Sequence, residues 1–333
     1  MKAKLLLSLL ALGSISLSGC YLDLGFIKIG SKDEDTDEAS GDKLAYYKNC
    51  DLTLTGGRLL NELQKLSWET HTNWITYSQV TSYYVTTSKQ LSVDAVAEGS
   101  KSFQLFYTGK EVTSYNSNIQ NREHVWPCAN SGTLWTHDKP ESGGFNPNYV
   151  DQTYYVGGGS DLYHVRPCDG TVNTARGNSR FVDFDDPEFS GKKDQTYEST
   201  ESGGKWSLRL YGSQSSTTFA NQAEPDDNMK GDVARLGLYI YMHYTERGVT
   251  PSGSVKPKGS ANEFKYSDMT GSLPLTNYMG YQSEDKCKEV LKLWNKLDPV
   301  SDVEKLRNNT VQKIQGNRNP FVDYPELVDQ IFE

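Results

Sequence analysis

An acidic segment near the N-terminus divides the chain into a short leading part and one long body. Residues 31–43 carry six acidic side chains among small polar ones, and Ala39 is their only apolar residue. Such a composition cannot bury enough surface to offset the entropy of ordering the segment. We therefore expect residues 20–43 to be a disordered tether. Residues 44–333 should fold as one unit, since no second linker or internal repeat interrupts them.

The residues before the tether follow the basic-apolar-small order of regions that is typical of a secretory signal. Lys2 and Lys4 precede an apolar stretch, residues 5–17, that is too short to span a bilayer. The sequence LSGC that ends at Cys20 resembles the bacterial lipobox, in which the signal is cut before a cysteine that is then lipidated. This predicts a signal peptide at 1–19 and a lipid anchor on Cys20, with an ordinary signal peptide as the alternative. Both alternatives predict export, as a membrane-anchored lipoprotein facing the periplasm or cell exterior, or as a secreted protein.

The body combines helical and strand-like patterns. Apolar residues at helical spacing predict three helices, near 59–66, 233–244 and 290–297. The alternation of Trp206, Leu208 and Leu210 with polar residues predicts a half-buried strand. Residues 135–160, 183–205 and 245–275 are rich in Gly, Ser, Asp and Pro and are expected to be surface loops. Together these patterns favour an α+β fold that is mostly helical and has long surface loops.

The charge of the chain bears on its partners. Its formal net charge is -9, whereas a protein that binds nucleic acid by broad electrostatic attraction is normally basic. A nuclease needs less, because a local group of arginines can grip one phosphate. Arg122, Arg166, Arg176 and Arg180 supply such a group. Acidity therefore weakens a nucleic-acid hypothesis without excluding it.

The triplet Arg122-Glu123-His124 offers a base and a metal ligand side by side. Phosphodiester hydrolysis needs a base for water and a cation near the phosphate, and imidazole and carboxylate suit these two tasks. Adjacent side chains on a strand point to opposite faces, so they converge only where the strand ends or bends, which Pro127 favours. Taken alone the triplet is a weak signal, because a histidine is more often a surface or packing residue.

Two longer segments contain this triplet and a second histidine. NREHVWP at 121–127 and DLYHVRPCDGTVNTARGN at 161–178 resemble the paired signature of bacterial endonuclease I and related extracellular nucleases. The resemblance continues at KGDVAR (230–235), LWNKLDPV (293–300) and QGNRNPFVDYPEL (315–327). Five blocks in the same order are a specific signal.

The resemblance implies a ββα-metal core, also called a His-Me finger, embedded in the helical domain. His124 is then the general base, and Glu123 and Asn173 hold one divalent metal. Mg²⁺ is expected, with Ca²⁺ or Mn²⁺ as alternatives, and the products carry 5′-phosphate and 3′-hydroxyl ends. Asn173 has a competing interpretation as a helix N-cap.

Three further residues are candidates for the catalytic site. His164 could orient His124, touch phosphate or simply pack. Arg166 and Arg176 are the candidate phosphate or transition-state contacts, with salt bridges to nearby acids as the alternative. Arg122 could act in the same way.

The absence of certain motifs bears on substrate and function class. No helix-turn-helix, zinc-finger array or basic recognition helix is present, so little sequence specificity is expected on DNA, RNA or both. A lipoprotein that binds nucleic acid without cutting it is one alternative. An exported protease is another, although neither a His-Glu-x-x-His helix nor a Gly-x-Ser-x-Gly elbow occurs. Nothing indicates an obligate assembly, so a monomer is expected.

The cysteines allow two interpretations. Beyond Cys20 four remain, and export permits disulfides. Since the family's fold brings the two signature segments together, the resemblance favours a Cys128–Cys168 bridge, which leaves Cys50 with Cys287. The alternative is a zinc site formed by two His-x₃-Cys units, and it would consume the histidine needed as the base.

Overall fold

The described part of this computed structural model comprises residues 38–131, 135–136, 156–189, 195–198, 206–212, 222–257 and 263–333. The predicted signal peptide, Cys20 and the tether up to residue 37 lie outside these residues. Residues Asp37–Glu333 form one compact unit. The helices are α1 (Glu38–Tyr47), α2 (Gly56–Thr70), α3 (Gly170–Arg176), α4 (Lys230–Tyr244), α5 (Glu284–Leu297), α6 (Asp302–Gln315), α7 (Pro320–Asp323) and α8 (Leu327–Ile331).

The strands are short and form several small sheets rather than one large one. They are β1 (Phe103–Gln104), β2 (Glu111–Val112), β3 (Gln120–His124), β4 (Trp135–Thr136), β5 (Val156–Gly157), β6 (Val165–Asp169), β7 (Arg180–Phe181), β8 (Gln195–Glu198), β9 (Ser207–Tyr211), β10 (Gln222–Pro225), β11 (Ser254–Val255) and β12 (Phe264–Lys265). Within the described residues the largest sheet has the order β7-β10-β9-β8, and β3 pairs only with β6. The α+β prediction is confirmed, and β9 confirms the predicted strand.

The three predicted helices are confirmed as α2, α4 and α5. Their starts follow local rules: the Ser283 hydroxyl caps α5, and Ser301 with Glu304 forms a capping box at α6. One detail of the apolar stripe on α5 differs from the prediction. Leu293 and Leu297 are 46% and 59% exposed, whereas the buried face of α5 includes Val290, Leu291 and Trp294. The buried stripe is rotated because a neighbouring helix, not local periodicity, selects which side of α5 is covered.

Helix α1 begins inside the segment that was expected to be a disordered tether. It starts at Glu38, although the tether was predicted to continue to residue 43. The helix is tied to the C-terminal part of the chain, because Lys43 donates to the Asp323 carbonyl at 2.8 Å and the Tyr47 hydroxyl donates to the Asp323 carboxylate at 2.8 Å. These long-range contacts order residues whose own composition favours disorder.

Helix α4 is the centre of the core, and α2 and α5 pack against it. Gly237 on α4 allows a close approach, since a Cβ at this position would overlap the Tyr278 ring. We expect Gly237→Ala to destabilise the protein by about 1–3 kcal/mol, because overpacking outweighs the better helix propensity of alanine. Urea unfolding followed by circular dichroism measures the change.

The control for this substitution is Gly57→Ala on α2. No atom lies within 4 Å of a Cβ at Gly57. This variant should be neutral or slightly more stable, because only helix propensity changes. Equal stability of the two variants would show that the Tyr278 ring can move aside at no cost.

The predicted disulfides are wrong. Cys50, Cys128, Cys168 and Cys287 are all free and no pair lies within disulfide distance. The register explains why the first pair fails: β3 and β6 are antiparallel, and Cys168 lies opposite Asn121. Cys128 follows Asn121 by seven residues, so the chain carries it away from Cys168 by up to roughly 3.3 Å per residue, whereas a bridge needs Cα atoms within about 7 Å.

Candidate functional site

The strand pair β3–β6 and the helix α3 that follows β6 bring the two signature segments together. The pairing runs from Gln120 opposite Asp169 to His124 opposite Val165, and α3 packs against both strands. β3 ends at His124, directly after Glu123. This is a two-stranded antiparallel element followed directly by a helix.

Asn173 lies within α3 and is not its cap. The N-cap is Asp169, whose carboxylate accepts from the backbone N–H of Thr171 at 2.9 Å and of Val172 at 3.3 Å. The N-cap interpretation of Asn173 is therefore wrong. Its half-buried side chain makes no hydrogen bond to any residue that the structure describes. The Asn173 amide is therefore available to bind a ligand.

Glu123 is held by two donors on one of its oxygens. The Tyr107 hydroxyl donates to Oε1 at 2.7 Å and Arg176 Nη1 donates to the same atom at 3.1 Å. The residue is only 2% exposed, and burial raises the pKa of its carboxyl although Arg176 and Tyr107 oppose the rise. Tyr107 has a φ of 66°, a left-handed conformation that is uncommon for a non-glycine residue. The fold thus holds Tyr107 in an unfavoured conformation where it orients the carboxylate.

Arg176 binds the backbone at the end of β3. Its guanidinium is 1% exposed, and besides Glu123 it binds the carbonyls of His124 at 3.2 Å and Val125 at 2.6 Å. Asn173 lies three residues earlier in α3, on the same side of the helix. The helix therefore presents Asn173 one turn from the residue that contacts Glu123.

The His124 ring is fixed on its edge and on one face. Its Nε2 lies 2.9 Å from the Gly159 carbonyl oxygen, which can only accept, so Nε2 carries the proton of the neutral ring. The Tyr77 ring stacks on the imidazole at 5.3 Å and 22°. The Arg122 guanidinium lies 3.6 Å from the centre of the Tyr77 ring and donates to the Tyr77 carbonyl.

The electrostatics around His124 favour a neutral imidazole. Burial lowers its pKa well below 6.5, and the neighbouring His164 lowers it further. The charges of Arg122 and Arg176 act in the same direction, while the hydrogen bond to Gly159 opposes them. A neutral imidazole with Nε2 protonated has its basic lone pair on Nδ1.

His164 joins two backbone segments. Its Nδ1 lies 2.6 Å from the Gly158 carbonyl, and its Nε2 accepts the Trp126 backbone N–H at 2.9 Å. The ring is fully buried, and burial lowers its pKa to about 4. These contacts tie the glycine run at 157–159 to the residues that follow β3.

Arg166 and Arg180 differ from Arg176 in their surroundings. Arg166 Nε donates to Asp94 Oδ1 at 2.8 Å, and its guanidinium lies 4.4 Å from the centre of the Phe106 ring. Arg180 lies on β7, and burial lowers its pKa. Among the candidate arginines, Arg176 donates a hydrogen bond to the Glu123 side chain, while Arg166 lies opposite Glu123 in the strand register.

Sequence reasoning missed Tyr77, Tyr107, Gly158 and Gly159. The glycine run shortly before the second signature segment was a usable signal, because glycines often mark close backbone approaches. The two tyrosines carry no local signal. They reach the site through tertiary contacts that no spacing rule predicts.

A second cluster of potential metal ligands lies in the core. His71, Asp161 and His243 offer ligand atoms that all lie within 4.8 Å of one another. The Asp161 carboxylate already accepts four hydrogen bonds, from the Tyr163 backbone N–H at 2.8 Å and from the side chains of Gln315, Tyr239 and Tyr244 at 3.1, 2.7 and 2.8 Å. A carboxylate has about four lone-pair sites, so this one is saturated. No group of ligands in the described residues includes Cys128 or Cys168, which leaves the zinc alternative without support.

The buried histidines predict a stability that depends on pH. Burial lowers the pKa of both His71 and His164 from 6.5 to about 4. Since the unfolded chain binds these protons first, stability should be complete above pH 6.5 and decrease as the pH falls toward 4. The loss is about 3 kcal/mol for each histidine. Urea unfolding at pH 7.5, 6 and 5 measures it, and His71→Gln should flatten the slope; a constant stability over this range would contradict the prediction.

Comparison with known proteins gives consistent matches. A family model described as Endonuclease I matches residues 55–326. The extracellular ribonuclease of Bacillus subtilis (strain 168) is 33% identical over 235 residues, covering 68% of this chain and 60% of that protein. The extracellular ribonuclease of Bacillus amyloliquefaciens is 33% identical over 217 residues, covering 64% and 53%. Endonuclease-1 of Buchnera aphidicola subsp. Baizongia pistaciae (strain Bp) is 25% identical over 214 residues, covering 62% and 64%. The chain thus spans between 53% and 64% of the length of these curated relatives.

Proposed function

Because this chain belongs to the endonuclease I family, we propose that it is an exported endonuclease that hydrolyses phosphodiester bonds of DNA, RNA or both. The observation that carries the proposal is the position of Glu123 and His124 at the end of β3, with helix α3, which carries Asn173, packed against that strand. The strand pair and helix support assignment to the ββα-metal, or His-Me finger, class.

Glu123 and Asn173 are the proposed protein ligands of one divalent metal. The two side-chain donors to Glu123 both end on Oε1, and the His124 backbone N–H also bonds the carboxylate. Oε2 is the proposed ligating oxygen. The Asn173 amide has no structural partner among the described residues. Carboxylate and amide oxygens suit Mg²⁺, Ca²⁺ or Mn²⁺ better than zinc. When bound, such an ion supplies positive charge for the phosphate and the leaving 3′-oxygen.

His124 is the proposed general base, acting through Nδ1. The Gly159 carbonyl fixes the proton on Nε2, and the Tyr77 ring restricts rotation of the imidazole. The base therefore needs no reorganisation before it accepts a proton from water. Attack of that water on phosphorus breaks the bond between phosphorus and the 3′-oxygen. The 3′-oxygen takes a proton from solvent, so the products carry 5′-phosphate and 3′-hydroxyl ends.

The other predicted catalytic residues have contacts that favour positioning roles. Arg176 holds Glu123 and the end of β3, and His164 holds Trp126 and Gly158. Arg166 is paired with Asp94. Arg122 is half-exposed beside Tyr77, and we favour it as a phosphate contact. Direct catalytic roles for His164, Arg166 and Arg176 stay predictions.

The proposed substrate range and location follow from the comparisons and the sequence. The similar proteins include extracellular ribonucleases and an endonuclease, so both RNA and DNA are candidate substrates. Recognition through phosphates implies little sequence specificity. Export, the lipid anchor on Cys20 and a monomeric state remain proposals. Within the described residues no helix has both the length and the apolar character to cross a bilayer.

A cleavage assay tests the proposed activity. The purified protein is incubated with supercoiled plasmid, single-stranded DNA and RNA, with Mg²⁺, Mn²⁺ or Ca²⁺, and with EDTA. We expect cleavage of at least one substrate, loss of cleavage in EDTA and recovery when the metal is returned. Failure to cut any substrate with any metal, by a folded protein, would favour the alternative of a binding protein without catalysis.

A further inference from the structure

A cavity of about 120 Å³ lies beside β6, between the segment that contains β1 and the N-terminal ends of α4 and α6. Its lining includes Phe106, Arg166, Trp206, Asn228, Asp232 and Arg307. Asn228 and Ser301, which also lines it, are exposed, so the cavity reaches the surface. The metal ligands and the base proposed above are not among its lining residues.

The guanidinium of Arg166 is only partly used by the fold. Its Nε donates to Asp94 Oδ1, but its two terminal nitrogens make no hydrogen bond to any of the residues that the structure describes. The side chain is 9% exposed and forms part of the cavity wall. The terminal nitrogens border the cavity, where a ligand that accepts hydrogen bonds could reach them.

Arg166 shares its carboxylate partner with a second arginine. Arg166 and Arg307 share a single carboxylate oxygen, since Arg307 Nη1 lies 2.6 Å from Asp94 Oδ1. On the other side, Arg235 makes a two-point pair with Glu304, with both N–O distances 2.7 Å.

Asp232, which also lines the cavity, is paired with another arginine. Its carboxylate lies 4.0 Å from Arg235 Nη2, and burial and the neighbouring Glu304 raise its pKa. The terminal nitrogens of Arg166 therefore stay without a carboxylate partner among the described residues.

We propose that this cavity binds a small tetrahedral oxyanion of the phosphate class. The ligand would accept hydrogen bonds from the terminal nitrogens of Arg166, which are arranged as the two-pronged donor that suits phosphate. The size admits a small ion, because a cavity of about 10–15 Å³, measured in the same way, already holds one water molecule. The site does not depend on the proposed nuclease activity.

Thermal unfolding with and without inorganic phosphate tests this site. At equal ionic strength, phosphate at about ten times its Kd should raise the Tm of the wild type by about 2–4 °C over chloride, because it binds only the folded state. Arg166→Gln should lose the rise, whereas Arg58→Gln, which removes an exposed charge on α2, should keep it. Titration calorimetry with phosphate should give one site in the wild type and none in Arg166→Gln.

A second variant tests the same site in case Arg166→Gln fails to fold. Val303→Phe fills the cavity from its half-exposed wall without changing any charge, and it should also lose the phosphate effect. Asp232→Asn should keep it, since the proposed hydrogen bonds to the ligand come from Arg166. Equal phosphate effects in the wild type and in Val303→Phe, or an equal effect of chloride, would overturn the proposal. Neither readout uses catalysis, so failure of the nuclease hypothesis would leave the test intact.

Discussion

Replacing His124 with alanine should lower kcat/KM for nucleic-acid cleavage by roughly a hundredfold to ten-thousandfold, which is the usual contribution of a general base. The Nδ1 lone pair is lost, and no other described imidazole lies in the same position beside Glu123. Because His124 is half-buried at the end of β3, the fold should tolerate the change. Cleavage of a fluorescent oligonucleotide at saturating Mg²⁺ measures the effect.

His164 provides the matched control for this prediction. His164→Ala removes the partner of the Trp126 N–H and of the Gly158 carbonyl, so it should lower stability by about 1–3 kcal/mol. His124→Ala should lose activity while keeping stability, and added imidazole should restore part of its activity. Full activity in a folded His124→Ala protein would remove His124 from the mechanism.

Glu123→Gln should lower cleavage by roughly a thousandfold, corresponding to about 4 kcal/mol of lost charge stabilisation around the phosphate. Glutamine keeps the size and can still accept from Tyr107, but it lacks the charge that binds a divalent ion. It also leaves the buried Arg176 without its charged partner, so some loss of stability is expected. Calorimetry with Mg²⁺ should show weakened metal binding by the folded variant.

Two further substitutions separate loss of the metal from loss of structure. Asn173→Ala should weaken metal binding and activity together, since this amide supports nothing else in the described fold. Thr174→Ala, at the next position of α3, should change neither. Metal binding that survives in both Glu123→Gln and Asn173→Ala would place the ion elsewhere.

The assignments made from the sequence succeeded where the information is contiguous in the chain. α2, α4 and α5 follow from apolar residues one or two turns apart, because neighbouring turns of a helix share a face. The family followed from residue runs in a fixed order, and the Endonuclease I match covers the same blocks. Both kinds of evidence are local, so they need no knowledge of which distant segments meet.

Tertiary structure decided the contacts of the site. Arg166 and Arg176 looked equivalent in the sequence, yet one is paired with Asp94 and the other with Glu123. Tyr107 supplies a hydroxyl to Glu123 from a left-handed backbone position that spacing does not reveal. Each of these pairings depends on how separate segments cross one another.

The cysteines and helix α1 also show what local sequence determines and what tertiary contacts determine. The sequence by itself predicted an exported chain, in which disulfides are permitted, and showed that residues 31–43 are polar. The antiparallel register, however, carries Cys128 away from Cys168. Contacts with Asp323 likewise order α1, which composition alone leaves unstructured. Local chemistry determines which elements and reactive groups a chain has. Their partners depend on the register and packing of segments far apart in the chain, because contact energies are realised only after folding brings those segments together.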